Sequence, residues 1–384
     1  MTTSKQDTGM NRDARRLRVL HVGPGHGQRG GMASVLQELR DMRAHFASEA
    51  TEVAFFETRG FRSIGALARF AVQDIPQFAL AAWRADIVHF HVSARGSLYR
   101  KLALFAIAKL ARRRSVFHLH AGDFDQFAAR AGRATRHAIH WFVGCADAAV
   151  GVSASCAGVL NRFRPDADAR VIGNSARDAQ LASSVVTTTA ARPTIAFAGR
   201  LTRQKGIDVL IDALSLLEHA GCDVDLTLAG EGDIPYWRAY AEARGVAHRV
   251  RFAGWLDGKD KAALYRDATV FCLPSQFESF GIAALEAMFH GTPVVATRIG
   301  GLADLVEHGT TGYLVAPNDG QALAAALHRI VSQPWRRRQM GIAARALAHR
   351  RYAAETIAGQ YVDCHRAIVA RTAPASTVRV PPRA

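Results

Sequence analysis

Read from its N-terminus, the chain alternates short apolar runs with longer stretches of helical period. Leu17–Val22 is the first run. It leads into Gly23-Pro24-Gly25-His26-Gly27-Gln28-Arg29-Gly30-Gly31, then into a segment with Val35, Leu36 and Leu39 on one helical face. Further runs lie at 53–56, 86–91, 115–120 and 148–152. Runs this short and apolar predict strands buried on both faces, and the helical segments between them would cover a parallel sheet. A polar stretch from Ala176 to Arg192, rich in Ser and Thr, interrupts the order and ends before Pro193. That composition predicts an interdomain linker. The alternation then restarts, with strands at 194–198, 224–229, 250–252, 269–273 and 293–296. Helices are predicted at 207–219, near 236–244 and at 282–289, followed by closing helices near 321–332, 335–348 and 353–371. The reading is an α/β protein of two Rossmann-like, doubly wound parallel-sheet domains facing a cleft, residues 17–185 and 186–350. A helix at 351–371 follows, with flexible tails at 1–16 and 372–384.

Composition narrows the function classes. No run of about 18 uncharged apolar residues is present, so no membrane-spanning helix is expected. Residues 1–16 are polar and lack the apolar core of a secretory signal. Five cysteines, none in a C-x-x-C pair, argue against a disulfide framework or structural zinc and fit a reducing cytoplasm. Cys145 and Cys272 sit in apolar runs, as core residues would. The net charge is +16, and residues 1–185 hold 26 Lys and Arg against 15 Asp and Glu, or +11 of it. Such a balance calls for an anionic partner: substrate phosphates, anionic lipid or nucleic acid.

Two segments carry candidate chemistry. Phe277-Glu278-Ser279-Phe280-Gly281-Ile282-Ala283-Ala284-Leu285-Glu286-Ala287 follows a buried strand and Pro274. It places Glu278 in a loop and Glu286 within a helix, with Gly281 at the helix start, where free N–H groups favour an anion or a hydroxyl-rich ligand. Carboxylates accept the hydrogen bonds that sugar hydroxyls donate. As an isolated pair the two glutamates could equally be a helix-entry acid and a solvated face. The second segment, Gly199-Arg200-Leu201-Thr202-Arg203-Gln204-Lys205-Gly206, puts Arg200 and Lys205 between a strand's C-terminal end and a helix, where a diphosphate would sit. Arg203 reads better as an ordinary surface cation.

Together these segments resemble the family 4 retaining glycosyltransferases of the GT-B fold (glycosyl transferases group 1). The resemblance runs from Val19 to about Tyr361, and includes Gly30-Gly31, Val116–His120, Gly230-Glu231-Gly232 and Gly300-Gly301. It implies that Arg200 and Lys205 bind a donor diphosphate and that Glu286 holds the ribose hydroxyls. Glu278 would contact the donor sugar, helped by the N–H groups of Ser279, Phe280 and Gly281. Gly199 would belong to the same donor loop, Gly30 and Gly31 would let the N-terminal loop approach, and His120 would face the sugar from the opposite domain. The resemblance also implies a hexosyl transfer with retention, by front-face substitution without a metal or cofactor, a nucleoside-diphosphate sugar being the co-substrate. The 351–371 helix would pack back on the N-terminal domain. The acceptor would be a glycan or a polyprenyl-linked sugar in exopolysaccharide, capsule or lipopolysaccharide synthesis, or else a soluble small molecule.

Other patterns were weighed against this. His89, His91, His118 and His120 alternate by two on two strand ends, which puts each pair on one sheet face. Zinc is one reading, but no acidic or thiol ligand shares the spacing, so no metal is assigned and His118 is expected to be a buried, satisfied side chain. Asp123-Phe124-Asp125 looks like a metal-binding D-x-D, yet the pattern recurs at 166–168 and 223–225; these acids read as a helix entry. A dinucleotide site would need glycine where Gln28 stands, despite Glu57 at the end of the second strand. The basic segment Leu98–Arg114 is expected to point Leu98, Leu102, Phe105 and Ile107 or Leu110 inward and its cations outward. Peripheral contact of the N-terminal domain with an anionic inner membrane surface follows as an expectation. A nucleic-acid-binding or scaffold protein is the reading of a different class, but it leaves Glu278 and Glu286 unexplained, so no nucleic acid partner is expected.

Overall fold

The computed structural model describes residues 16–25, 30–60, 63–165, 167–176 and 192–371. Most of the expected tails and linker, and the loop residues 26–29, lie outside the described residues. The first sheet contains β1 (Leu17–Pro24), β2 (Thr51–Thr58), β3 (Ile87–Val92), β4 (Arg114–Leu119), β5 (Ala148–Gly151) and β6 (Arg170–Val171). These run parallel in the order β2-β1-β3-β4-β5-β6. The second contains β7 (Thr194–Ala198), β8 (Asp225–Ala229), β9 (Val250–Gly254), β10 (Val270–Leu273), β11 (Val294–Thr297) and β12 (Gly312–Val315). It is also parallel, in the order β12-β11-β10-β7-β8-β9. Each order reverses once, beside β1 and beside β7. In such sheets the crevice for ligands opens beyond the strands' carboxyl ends at that reversal.

The apolar runs are strands because both their faces are covered: every residue of β3, β10 and β11 is buried. Helices Ile207–His219 and Ile282–Phe289 fall on the expected residues. The pattern gave no sign of β6, which is two residues long, or of β12, which begins with glycine. The polar helix Gly258–Asp267 buries only Tyr265 and was also not expected. The helix expected after Asp123 and Asp125 is two, Phe124–Arg130 and Arg133–Cys145, and the second leaves Cys145 exposed rather than in the core.

The basic segment before β4 departs further from expectation. Its helix, Gly96–Leu110, buries Leu98, Lys101, Leu104, Phe105 and Ala108, while Leu110 is 85% exposed. Lys101 is therefore an interior cation. It donates to Ser97 Oγ at 2.7 Å, and burial, with Arg100 beside it, pushes its ammonium down to about 7. Arg113 lies over the Trp83 ring, and Arg114 donates to the carbonyl of Ile368. These two cations fasten the start of β4 to neighbouring helices rather than facing a solvent layer.

The chain's last helices, Pro334–Tyr352 and Ala354–Ala370, carry it back across the molecule. The second docks on the N-terminal domain as expected. Arg366 pairs with Glu49, and His365 Nε2 is 2.9 Å from His89 Nδ1. Strand register places His21 beside His89 and His91 beside His118. Tyr361 and His365 close over that row, so one face of the sheet is lined by buried imidazoles. His89 Nε2 meets His118 Nδ1 at 3.1 Å; His118 is buried as expected but only half satisfied, its Nε2 having no hydrogen-bond partner among the described residues. Burial holds all these rings neutral, with neighbouring histidines adding to the effect for His21, His89, His91 and His118. His120 and His365 are each pushed down to about 3.

A neutral buried imidazole binds no proton in the folded state, whereas the unfolded chain protonates below about pH 6.5. Stability is therefore full above that pH and falls as pH drops towards the folded values near 3. Each such histidine contributes a loss of about 1.4 kcal/mol per pH unit. Urea unfolding between about pH 7 and about pH 5 should show a steep fall in midpoint. His365→Gln should flatten the slope by about one histidine's share; a pH-independent midpoint would contradict the assignment.

Candidate functional site

The candidate residues of the C-terminal domain arise on the two loops that leave β7 and β10, neighbouring strands at the reversal of the second sheet. The β7 loop runs through Gly199 and Arg200 into a short turn, Arg203–Lys205, that ends in Gly206 with φ 73°. A side chain at Gly206 would collide with the Pro274 carbonyl, so glycine lets this turn close on the β10 loop. Gln276 N donates to Gln204 O at 2.9 Å and ties the two together. Lys205 Nζ then reaches Glu278 Oε2 at 2.6 Å, with side-chain exposures of 26% and 15%. Arg200 is exposed and makes no ion pair among the described residues.

Glu278, Ser279 and Phe280 wrap into Gly281, whose φ of 100° starts helix Ile282–Phe289. The β11 loop supports this segment from below. Gly301 N donates to Glu278 O at 3.3 Å, and side chains at Gly300 or Gly301 would collide with the Glu278–Phe280 backbone. One turn into the helix, Glu286 is held at both oxygens: Lys261 Nζ donates to Oε1 at 2.7 Å and the Tyr265 hydroxyl to Oε2 at 2.6 Å. Burial, then Glu286 itself, holds the Tyr265 hydroxyl well above its ordinary value, so it stays a donor. Each carboxylate oxygen retains a further lone pair for an incoming hydroxyl. Glu286, in the helix, and Lys205, on the β7 loop, are thus not paired with each other; each glutamate has its own lysine.

The N-terminal domain approaches from the other side. A Cβ on Gly31 would lie 3.8 Å from Ile282, and one on Gly122 would lie 3.0 Å from Glu278 C and Ser279 N. Ala154 N donates to Asp304 Oδ2 at 2.7 Å, a second bridge across the cleft. Gly30 has φ 135° and begins helix Gly31–Asp41. His120 follows β4 and is half-buried, with His120 Nε2 2.9 Å from His91 Nδ1 and His91 Nε2 3.0 Å from His21 Nδ1. His21 Nε2 is buried without a hydrogen-bond partner among the described residues. A bare lone pair there costs less than an orphaned N–H, which puts the His21 proton on Nδ1. The chain of bonds then runs one way: His21 donates to His91, His91 donates to His120 Nε2, and His120 keeps its own proton on Nδ1. His120 therefore offers a neutral N–H donor at the domain's edge. Ligand nitrogens of His91, His118 and His120 lie within 4.8 Å of one another, a grouping that a transition metal could use.

The D-x-D acids behave as a helix entry: Asp123 precedes Phe124–Arg130, at 4.0 Å from Arg95, and Asp125 lies in its first turn. Glu57 is taken by Arg40 at 2.8 Å. Lys261, Tyr265, Gly122, Asp304 and His21 were absent from the sequence reading. Of these only His21 carried a signal, as a histidine within an apolar strand.

Residues 192–333 match the profile of the family described as glycosyl transferases group 1. Over that segment, which lies in the C-terminal domain, the chain is similar to that family. A glycogen synthase of Mycobacterium tuberculosis H37Rv is 32% identical over 260 residues, 66% of this chain and 62% of that protein. A phosphatidyl-myo-inositol mannosyltransferase of Mycobacterium leprae is 37% identical over 177 residues, 46% of each chain. The chain spans between about half and three-fifths of the length of these curated relatives. Among solved structures, Anabaena HepE in complex with UDP-glucose superposes with a TM-score of 0.72 at 21% identity, covering 91% of this chain and 100% of that one. That likeness is one of fold, and the fold is GT-B.

The glycine contacts make a direct test. Gly301→Ala should destabilise by on the order of 1–3 kcal/mol, because its neighbour is backbone and cannot rotate away. It should weaken nucleotide binding in parallel. Gly359→Ala, with nothing within 4 Å in helix Ala354–Ala370, should be neutral or stabilising. Thermal unfolding and nucleotide titration of both variants check this; equal behaviour would remove the packing argument.

Proposed function

We propose that this protein transfers a hexosyl unit from a nucleoside-diphosphate sugar to a glycan or lipid-linked acceptor, with retention of anomeric configuration. The observation that carries the reading is Lys205 and Arg200 on the loop after β7 beside Glu278 and Glu286 after β10, at the reversal of the second sheet. Arg200 and Lys205 bind the diphosphate and stabilise the charge that develops on it as the glycosidic bond breaks. Lys205 has three donors, so it can keep its bond to Glu278 while donating to phosphate. Glu286, oriented by Lys261 and Tyr265, accepts from the ribose hydroxyls. Glu278 accepts from a sugar hydroxyl, and the N–H groups of Ser279, Phe280 and Gly281 line the same side. His120 donates from Nδ1 across the cleft, and Gly30 and Gly31 admit the donor from the N-terminal side. Acceptor attack occurs on the face the leaving phosphate departs from, with that phosphate taking the acceptor's proton.

The activities of the relatives, a glycogen synthase and a phosphatidyl-myo-inositol mannosyltransferase, support a glycan or lipid-linked acceptor over a soluble small molecule. Exopolysaccharide, capsule or lipopolysaccharide synthesis at the cytoplasmic membrane face is the corresponding role. No helix among the described residues is long and apolar enough to cross a membrane.

A donor panel scored for nucleotide release should identify one nucleoside-diphosphate sugar as substrate. Arg200→Ala and Lys205→Ala should each lower kcat/KM by at least about thirtyfold, near 2 kcal/mol. NMR of the product should show the donor's anomeric configuration kept, and turnover should persist in chelator. Wild-type rates in both variants would refute the donor site. An inverted product, or loss in chelator reversed by Mg²⁺, would refute the mechanism.

A further inference from the structure

At the far end of the second sheet, away from the loops just described, lies a separate cavity of ≈ 600 Å³. Thr269 and Pro293, which precede β10 and β11, form part of its wall, so it opens at the amino ends of the strands. Its opposite wall is the start of helix Pro334–Tyr352. This helix has the sequence PWRRRQMGIAARALAHRRY, with six arginines and no carboxylate. The cavity lies against Arg266, Arg337, Arg338 and Arg345, with Trp335 and Ile342 beside them. Among the described residues no Asp or Glu lines it. Arg266 is paired with Asp267, but Arg337 and Arg338 make no ion pair among the described residues. Arg337 is also half-buried, and that burial lowers its guanidinium pKa with nothing to offset it.

Three features converge on one ligand chemistry. Guanidinium groups are planar forks that match phosphate oxygens, and Arg337 and Arg338, side by side without a carboxylate partner among the described residues, call for an anion. The helix begins with Pro334 and has no side-chain cap, so its first N–H groups and the positive end of its dipole lie at the same wall. Trp335 is 75% exposed and Ile342 48% exposed, an apolar surface directly beside the cations. The volume falls within the usual range for small-molecule pockets, about 300–1,000 Å³. A purely ionic ligand would leave Trp335 and Ile342 unused, and a purely apolar one would desolvate the arginines for nothing.

We propose that this cavity binds a phosphate ester with an apolar body, the phosphate among Arg337, Arg338 and Arg345 and the body against Trp335 and Ile342. The two sources of that chemistry are an anionic phospholipid headgroup and a soluble phosphate ester. The surface favours the lipid, because exposed tryptophan beside arginine suits a membrane–water boundary. This places the anionic contact on the C-terminal domain rather than on the basic helices of the N-terminal one, where Arg113 and Arg114 are engaged internally.

The test is calorimetric titration of the full chain with short-chain phosphatidic acid below its micelle concentration, beside inorganic pyrophosphate and a saturating nucleoside diphosphate. We expect saturable lipid binding that the nucleoside diphosphate does not displace. Arg337→Gln with Arg338→Gln should weaken it at least tenfold. Trp335→Ala should weaken the lipid but not pyrophosphate. Arg338 and Trp335 are exposed and Arg337 is half-buried, and unaltered thermal unfolding would exclude misfolding as the cause. Flotation on phosphatidic acid vesicles at low salt, lost in the double variant and at high salt, assigns the source to the bilayer; short-chain binding without flotation assigns it to a soluble ester. No binding of the short-chain lipid, binding unchanged in the double variant, or displacement by the nucleoside diphosphate would each overturn the proposal. None of these results depends on glycosyl transfer, so the donor site stands or falls separately.

Discussion

Everything at the candidate site depends on backbone touching backbone. The Glu278–Gly281 segment is hemmed in by Gly300 and Gly301 below, at separations where only a hydrogen fits, and by Gly122 of the other domain, where a Cβ would be tight at 3.0 Å. Gly206 closes the β7 loop on Pro274 in the same way. Interiors packed this tightly have few alternative arrangements. Side chains borne by such loops are therefore held in position before any ligand arrives, and the Lys205–Glu278 bond at 2.6 Å is one result. This preorganisation is what an electrostatic site requires, because charges fixed in advance need no rearrangement when the reacting group's charge develops.

Much of this was legible in the sequence, for a physical reason. Strands buried on both faces are mostly apolar, so β7 and β10 appear as plain runs, and the buried parts of β1 and β3 as runs broken only by histidine. The residues after them are polar or glycine because the loops meet solvent and one another. Glu278, Glu286, Arg200 and Lys205 stood out by type and position on that background. Lys261 and Tyr265 did not. They lie on helix Gly258–Asp267, whose period is weak, and their relation to Glu286 exists only once two distant segments pack. Lys101 was read outward because lysine usually is, whereas its helix face turned it into the core. Gly122 was invisible because its constraint comes from the opposite domain.

The imidazole row had a partial signature. Alternation by two put His89 with His91, and His118 with His120, on common faces. The register that sets His21 against His89, and the helix that lays His365 over them, are long-range facts that no local pattern contains. Most of the interior on that face is therefore polar in kind yet uncharged. Its rings bond to one another through N–H···N contacts instead of ion pairs, which avoids the desolvation cost of buried charge.

The crossover helix has a consequence for how the protein comes into being. His365 and Tyr361 complete the packing around His21, His89 and His118, yet they are among the last described residues to leave the ribosome. The first domain's strands are all synthesised long before the element that covers them. During synthesis that face of β1, β3 and β4 must wait, uncovered, while the whole second domain is made. The N-terminal half is thus a domain by topology but not by order of assembly, and it reaches its final packing only after the crossover helix has been made.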